Sequence, residues 1–111
     1  MNERSEERVQ WIYSSQNNSE LSERYDEWAK DYDKDLSEVF GWIAPKTASD
    51  YLAKYVSQDS NVLDAGAGTG LVGLALAEHG FQNLTAMDLS EGMLKEARNK
   101  NVYKGLSLIH I

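Results

Sequence analysis

The sequence predicts an α/β fold, the opening of a doubly wound parallel sheet preceded by helices. Three observations carry that reading. The run Asn61-Val62-Leu63-Asp64-Ala65-Gly66-Ala67-Gly68-Thr69-Gly70 is an apolar stretch ending in an acid, then three glycines alternating with small residues. A helical pattern follows it at once, so it reads as a strand, a tight turn and the start of a helix. Leu84-Thr85-Ala86-Met87-Asp88 repeats the theme with a second strand and a second helix. Upstream of both, apolar residues recur at helical rather than alternating spacing.

Taken in order, residues 3–15 suit a short helix with Val9, Ile12 and Tyr13 on one side. Residues 16–19 are a polar break. Trp28, Tyr32, Leu36, Val39, Phe40 and Ile43 stand at helical spacing, which predicts helix over most of 20–42 with a break near Asp31. Pro45 reads as punctuation, and Ala48, Tyr51, Leu52, Tyr55 and Val56 mark another helix ending before Asn61. The helix after the glycines covers 69–79, with Gly80 placed for a left-handed C-cap. Ser90 suits the N-cap of a final helix reaching Asn99. Strand, helix, strand, helix in succession is how a parallel sheet begins.

The glycine turn implies a ligand. Its backbone turns sharply and admits atoms that a Cβ would shield, and the new helix's N–H groups suit an anionic or carboxylate group. A dinucleotide fingerprint would need glycine at position 71, where Leu71 stands, and a triphosphate loop would need a lysine after the glycines, which is absent. What remains is Asp64-x-Gly66-x-Gly68-x-Gly70, which resembles the first motif of the class I S-adenosylmethionine (SAM)-dependent methyltransferases. Met87-Asp88-Leu89-Ser90-Glu91-Gly92-Met93-Leu94 resembles that family's second motif. Upstream, Tyr25-Asp26-Glu27-Trp28-Ala29-Lys30-Asp31-Tyr32-Asp33 resembles the segment preceding the core in small-molecule-type members. It is especially similar to the methyltransferase-like protein 27 group, from the Williams–Beuren region.

The resemblance implies a Rossmann-like class I methyltransferase fold, present here as its N-terminal part with an incomplete sheet, and SAM as cofactor. It spans 21–105, the N-terminal half of a SAM-binding domain, behind a polar extension over 1–20. Asp64 and the loop Gly66, Ala67, Gly68 and Gly70 would hold the amino-acid end of SAM. Asp88 would accept the ribose hydroxyls, and Leu89 would either pack on adenine or cover the strand. Tyr25 and Tyr32 would line the site from the helical segment, or serve core packing as Trp28 is expected to. Bland readings stand beside these. Asp64 could cap the following helix, Gly70 could serve helix packing, and Asp88 could be a solvated turn acid. His79, just before Gly80, suits a helix C-terminus. No catalytic base is assigned.

Composition narrows the partners. The net charge is −7, with 13 acids and 7 bases over residues 1–60 against 5 acids and 4 bases over 61–111. That balance disfavours nucleic acid, which needs a basic footprint. No apolar stretch approaches the ~20 residues of a membrane span, and the first twenty residues are too polar for a signal peptide. Cysteine is absent, which excludes disulfides and thiolate metal sites, and the two histidines lie too far apart in sequence for a metal pair. A cytoplasmic protein is the expectation.

The ending is anomalous. A class I domain has a sheet of about seven strands, and two are legible here. Leu106-Ser107-Leu108-Ile109-His110-Ile111 has no place in the family pattern. One codon reading of it, CTG TCT CTT ATA CAC ATC, resembles the transposon end used in sequencing-library adapters. Residues 106–111 are therefore expected to be a non-native tail on an inactive N-terminal fragment. The other reading is a third apolar strand, which Leu106, Leu108 and Ile109 would suit. Three functions follow. The first is a SAM-dependent methyltransferase acting on a small molecule or a protein. The second is a non-catalytic SAM-fold module, and the third, disfavoured by Leu71, is a nicotinamide-dinucleotide oxidoreductase.

Overall fold

Helices come first, as the spacing requires. The computed structural model describes residues 3–36 and 43–109. Helix α1 (Glu3–Tyr13) leads to α2 (Asn18–Lys34), whose first turn is capped by Asn17, its side chain accepting the Glu20 N–H at 2.8 Å. Ile12 is buried between these helices, but Tyr13 is 78% exposed and does not share its face. Trp28 is buried and donates its indole N–H to Asp35 at 2.8 Å, so it is a packing residue with a satisfied polar end. Arg8 joins α1 to the same helix through Asp31 at 3.0 Å.

The expected break near Asp31 does not occur. Helix α2 continues through Lys34, with Asp31 accepting from Arg8 and Asp33 accepting from Thr69 at the sheet end. Val39 and Phe40 lie outside the described residues. Pro45 sits in the first turn of α3 (Ala44–Tyr55), marking that helix's start, where its missing N–H has no helical partner to lose. Of the residues that marked that helix, Leu52 and Val56 reach the core, whereas Tyr51 and Tyr55 stay exposed and stack on each other with centroids 5.0 Å apart.

Three parallel strands follow in chain order: β1 (Val62–Ala65), β2 (Leu84–Asp88) and β3 (Gly105–Leu108). Val62 pairs with Leu84, and Ala86 with Leu106. The ending thus forms a third strand, the alternative reading of residues 106–108, with the Ile109 N–H donating to the Asp88 carbonyl at 3.0 Å. Right-handed crossovers between strands laid down in chain order stack α4 (Leu71–Glu78) and α5 (Glu91–Asn99) on one face of the sheet. Leu84 and Ala86 point into that face and are fully buried, while Leu63, on the other, is 58% exposed. Among the described residues, the sheet is therefore covered on one side.

The core under α3 and α4 is Leu76, Phe81 and Leu84, flanked by Leu52, Val56 and Val62. The end of α4 delivers two of these. Gly80 has φ +91°, its N–H reaches the Ala77 carbonyl at 3.0 Å, and the Phe81 N–H reaches the Leu76 carbonyl at 3.2 Å. That double closure turns the chain so that Phe81 packs on Leu76. The Ser90 hydroxyl accepts the Met93 N–H at 3.1 Å and caps α5 as its sequence suggests. Gly80→Ala should cost about 1–2 kcal/mol, because a left-handed backbone strains any residue with a Cβ. Denaturant titration reads this as a lower midpoint with an unchanged slope.

Candidate functional site

The site is organised by the amide groups of the glycine turn. Gly66, Gly68 and Gly70 all have positive φ, at +72°, +58° and +90°, so the turn is available to few other residues. The N–H groups of Gly66 and Ala67 both donate to the Met87 carbonyl, at 2.8 and 3.0 Å. The Gly68 N–H donates to Asp88 Oδ2 at 2.8 Å, and the Ser90 N–H to Asp88 Oδ1 at 2.9 Å. The Asp88 carboxylate therefore holds the turn and the start of α5 together. Each of its oxygens keeps a second lone pair for a ligand hydroxyl.

The three glycines differ in what they face. A Cβ at Gly66 or Gly68 would meet nothing within 4 Å, so both backbones lie open to an approaching ligand. A Cβ at Gly70 would stand 2.9 Å from the Tyr103 ring and 3.3 Å from Ala97, which makes Gly70 a helix-packing glycine. Gly70 gives α4 no side-chain cap, and Asp64 does not supply one either. The α4 helix begins at Leu71 rather than at 69, with Thr69 buried in the turn.

Helix α2 straps the other side of the site. The Ser22 hydroxyl donates to the Leu89 carbonyl at 3.1 Å. The Asp26 carboxylate accepts the Gly92 N–H at 2.8 Å and the Ser90 hydroxyl, placing a negative charge on the N-terminus of α5. Asp33 accepts the Thr69 hydroxyl, and Lys100 bridges Asp33 Oδ2 and the Thr69 carbonyl at 2.6 Å each. Between strap and turn lies a cleft of about 280 Å³, close to the ~300 Å³ lower bound of small-molecule sites.

Six expected site residues line that cleft together: Tyr25, Tyr32, Gly66, Gly68, Asp88 and Leu89. Leu21, Met93 and Ile109 add an apolar wall. Ala67 and Gly70 do not line it, and Asp64 turns toward Tyr103, whose phenol donates to Asp64 Oδ2 at 2.7 Å. Burial raises the Tyr25 phenol above its ordinary range, helped by Tyr13 and Asp88. Burial, Tyr25, Asp33 and Asp88 push Tyr32 up to about 12. Both phenols are thus neutral donors near pH 7 rather than bases. Burial also raises the Asp64 carboxyl, the Tyr103 hydrogen bond opposes this, and Asp88 adds to it.

Sequence reasoning missed the tethers. In the segment from Tyr25 to Asp33 it singled out the aromatic residues, whereas Asp26 and Asp33 are what bind α2 to the sheet end. Their spacing of seven places them two helical turns apart on one face, a signal that was legible. Ser22, Lys100 and Tyr103 gave no comparable signal, because their partners are 67, 67 and 39 residues away.

Asp64 yields a pH prediction. Its folded-state value lies above the ordinary 3.8, so the folded chain holds that proton more tightly than the unfolded chain. The ionised carboxylate is therefore a destabilising group above its folded midpoint, relieved as pH falls through that midpoint toward 3.8. Asp64→Asn should accordingly be more stable than the parent near pH 7. Thermal melts across pH should find the gap closing below pH 4.

Residues 62–111 match the family described as Methyltransferase domain. The human Methyltransferase-like protein 27 is 39% identical over 87 residues, covering 76% of this chain and 35% of the relative. The Danio rerio EEF1A lysine methyltransferase 2 is 41% identical over 59 residues, 53% of this chain and 25% of the relative. The chain therefore spans between a quarter and about a third of the curated relatives it matches. With a parallel α/β sheet whose first strand opens into an Asp-x-Gly-x-Gly-x-Gly turn, the chain is similar in sequence and fold to the class I methyltransferases.

Proposed function

We propose that this chain is the cofactor-binding half of a SAM-dependent methyltransferase whose acceptor is a small molecule or a protein side chain. One observation carries the reading. Two left-handed glycines, Gly66 and Gly68, present open backbone beside a strand-end carboxylate, Asp88, whose oxygens are fixed by two amides and keep capacity for hydroxyl groups. A ribose diol suits that carboxylate, and an adjacent apolar wall of Leu89 and Met93 suits a base. At the end of β1, Asp64 has no cation paired with it among the described residues, and a ligand ammonium suits it. The residues present thus fit an amino-acid-bearing nucleoside.

When bound, SAM supplies a methyl group already activated on a sulfonium centre. The chain's own contribution is then position and exclusion of water. Asp64 receives the methionyl end, Gly66 and Gly68 admit it, Asp88 orients the ribose, and Tyr25 and Tyr32 close the cleft from α2. Orientation of this kind can be worth roughly 7–11 kcal/mol of barrier. The name of the zebrafish relative, a lysine methyltransferase of EEF1A, is in keeping with a protein acceptor. A dinucleotide reading is served less well, since Leu71 replaces the glycine that brings a pyrophosphate close.

For the cofactor, calorimetry should find binding of SAM and none of NAD. In the complete protein, Asp88→Ala should weaken SAM by about 1–3 kcal/mol, the loss of a buried charged acceptor. An unchanged affinity would remove Asp88 from the site.

A further inference from the structure

Tyr103 lies between α5 and β3, outside every motif in the sequence. Its ring lies against Gly70, and its phenol oxygen sits over Gly73 so closely that a methyl at Gly73 would overlap it. Gly73 is the third residue of α4, and its N–H is one of the groups that a helix start leaves without a helical partner. The Tyr103 hydroxyl, packed over this first turn of α4, donates to Asp64 Oδ2 at 2.7 Å and so points its proton at the end of β1.

We infer that Tyr103 is a positioning residue: it fixes the direction and favours the ionised state of the Asp64 carboxylate, which then meets the ammonium of the amino-acid end of the cofactor. This rests on the SAM reading given above. The packing alone does not call for a hydroxyl, because phenylalanine would fill the same space against Gly70 and Gly73. The hydroxyl is what reaches Asp64. The titratable groups facing Asp64 are Tyr103, from the segment after α5, and Asp88, from the end of β2. Tyr103 opposes the burial that raises the Asp64 carboxyl, while Asp88 reinforces it. The phenol itself stays protonated, since burial and the neighbouring Asp64 charge both hold its proton.

The decisive experiment is a carbon-13 NMR titration of the Asp64 carboxyl in the ligand-free 111-residue chain and in Tyr103→Phe, with SAM calorimetry on both at pH 7. Tyr103→Phe should move the Asp64 midpoint up by about one pH unit. It should also weaken SAM about tenfold, the scale of one lost hydrogen bond to a charged group. A tyrosine that only packs would change the melting temperature and leave the midpoint in place, and an unmoved midpoint would overturn the inference. Should Tyr103→Phe fail to fold, the parent chain still decides. Its Tyr103 ring carbon bearing the hydroxyl should titrate with the Asp64 midpoint, and a flat response refutes the link. A moved midpoint in a chain that binds no SAM would instead overturn the cofactor reading, and with it the ligand assigned to this pair.

Discussion

The structure depends on where the amide groups of residues 66–68 go. A turn that leaves a parallel strand with three N–H groups aimed at the neighbouring strand end needs acceptors there, and each such bond contributes about 1 kcal/mol net. Here the end of the neighbouring strand supplies them. The Met87 carbonyl takes two and the Asp88 carboxylate takes the third. Because Asp88 also takes the Ser90 N–H, the same residue sets the start of α5. Asp26 then adds α2 to that helix start. One carboxylate at a strand end thus fixes the turn, the following helix and the surface that α2 straps. The cleft exists because these three are held together while Gly66 and Gly68 leave its floor bare.

Much of this was legible because the local rules are strict. Left-handed backbone selects glycine, which marked the turn and the end of α4 at Gly80. A strand-end acid two positions before a serine marked Asp88 and the α5 cap. What escaped reading was the traffic between elements. Helical spacing says which face of α2 is apolar, but not that Asp26 and Asp33 reach the sheet end, nor that Asp31 pairs with Arg8. Pro45 marks a boundary as its sequence suggests, in the first turn of α3. Asp64 was assigned to the ligand from its motif, and its bond to Tyr103 lies across 39 residues that no window spans.

The one-sided sheet gives the account its shape. Strands laid in chain order place both crossover helices on the same face, and the other face, with Leu63 and Ala65, stays open. Parallel sheets are ordinarily covered on both faces. The tethers of the cleft come from α2, the glycine turn, the end of β2 and Lys100 at the end of α5.

The most direct test of the central claim is a map of backbone amide shifts during titration with SAM. The amides of Gly66, Gly68 and Ser90 border the proposed ligand, and two of them are bonded to Asp88. They should move first and saturate together, with Leu89 following and the groove between Arg98 and Leu106 unchanged. Shifts confined to that groove, or no shifts at millimolar SAM while the chain remains folded, would contradict the account.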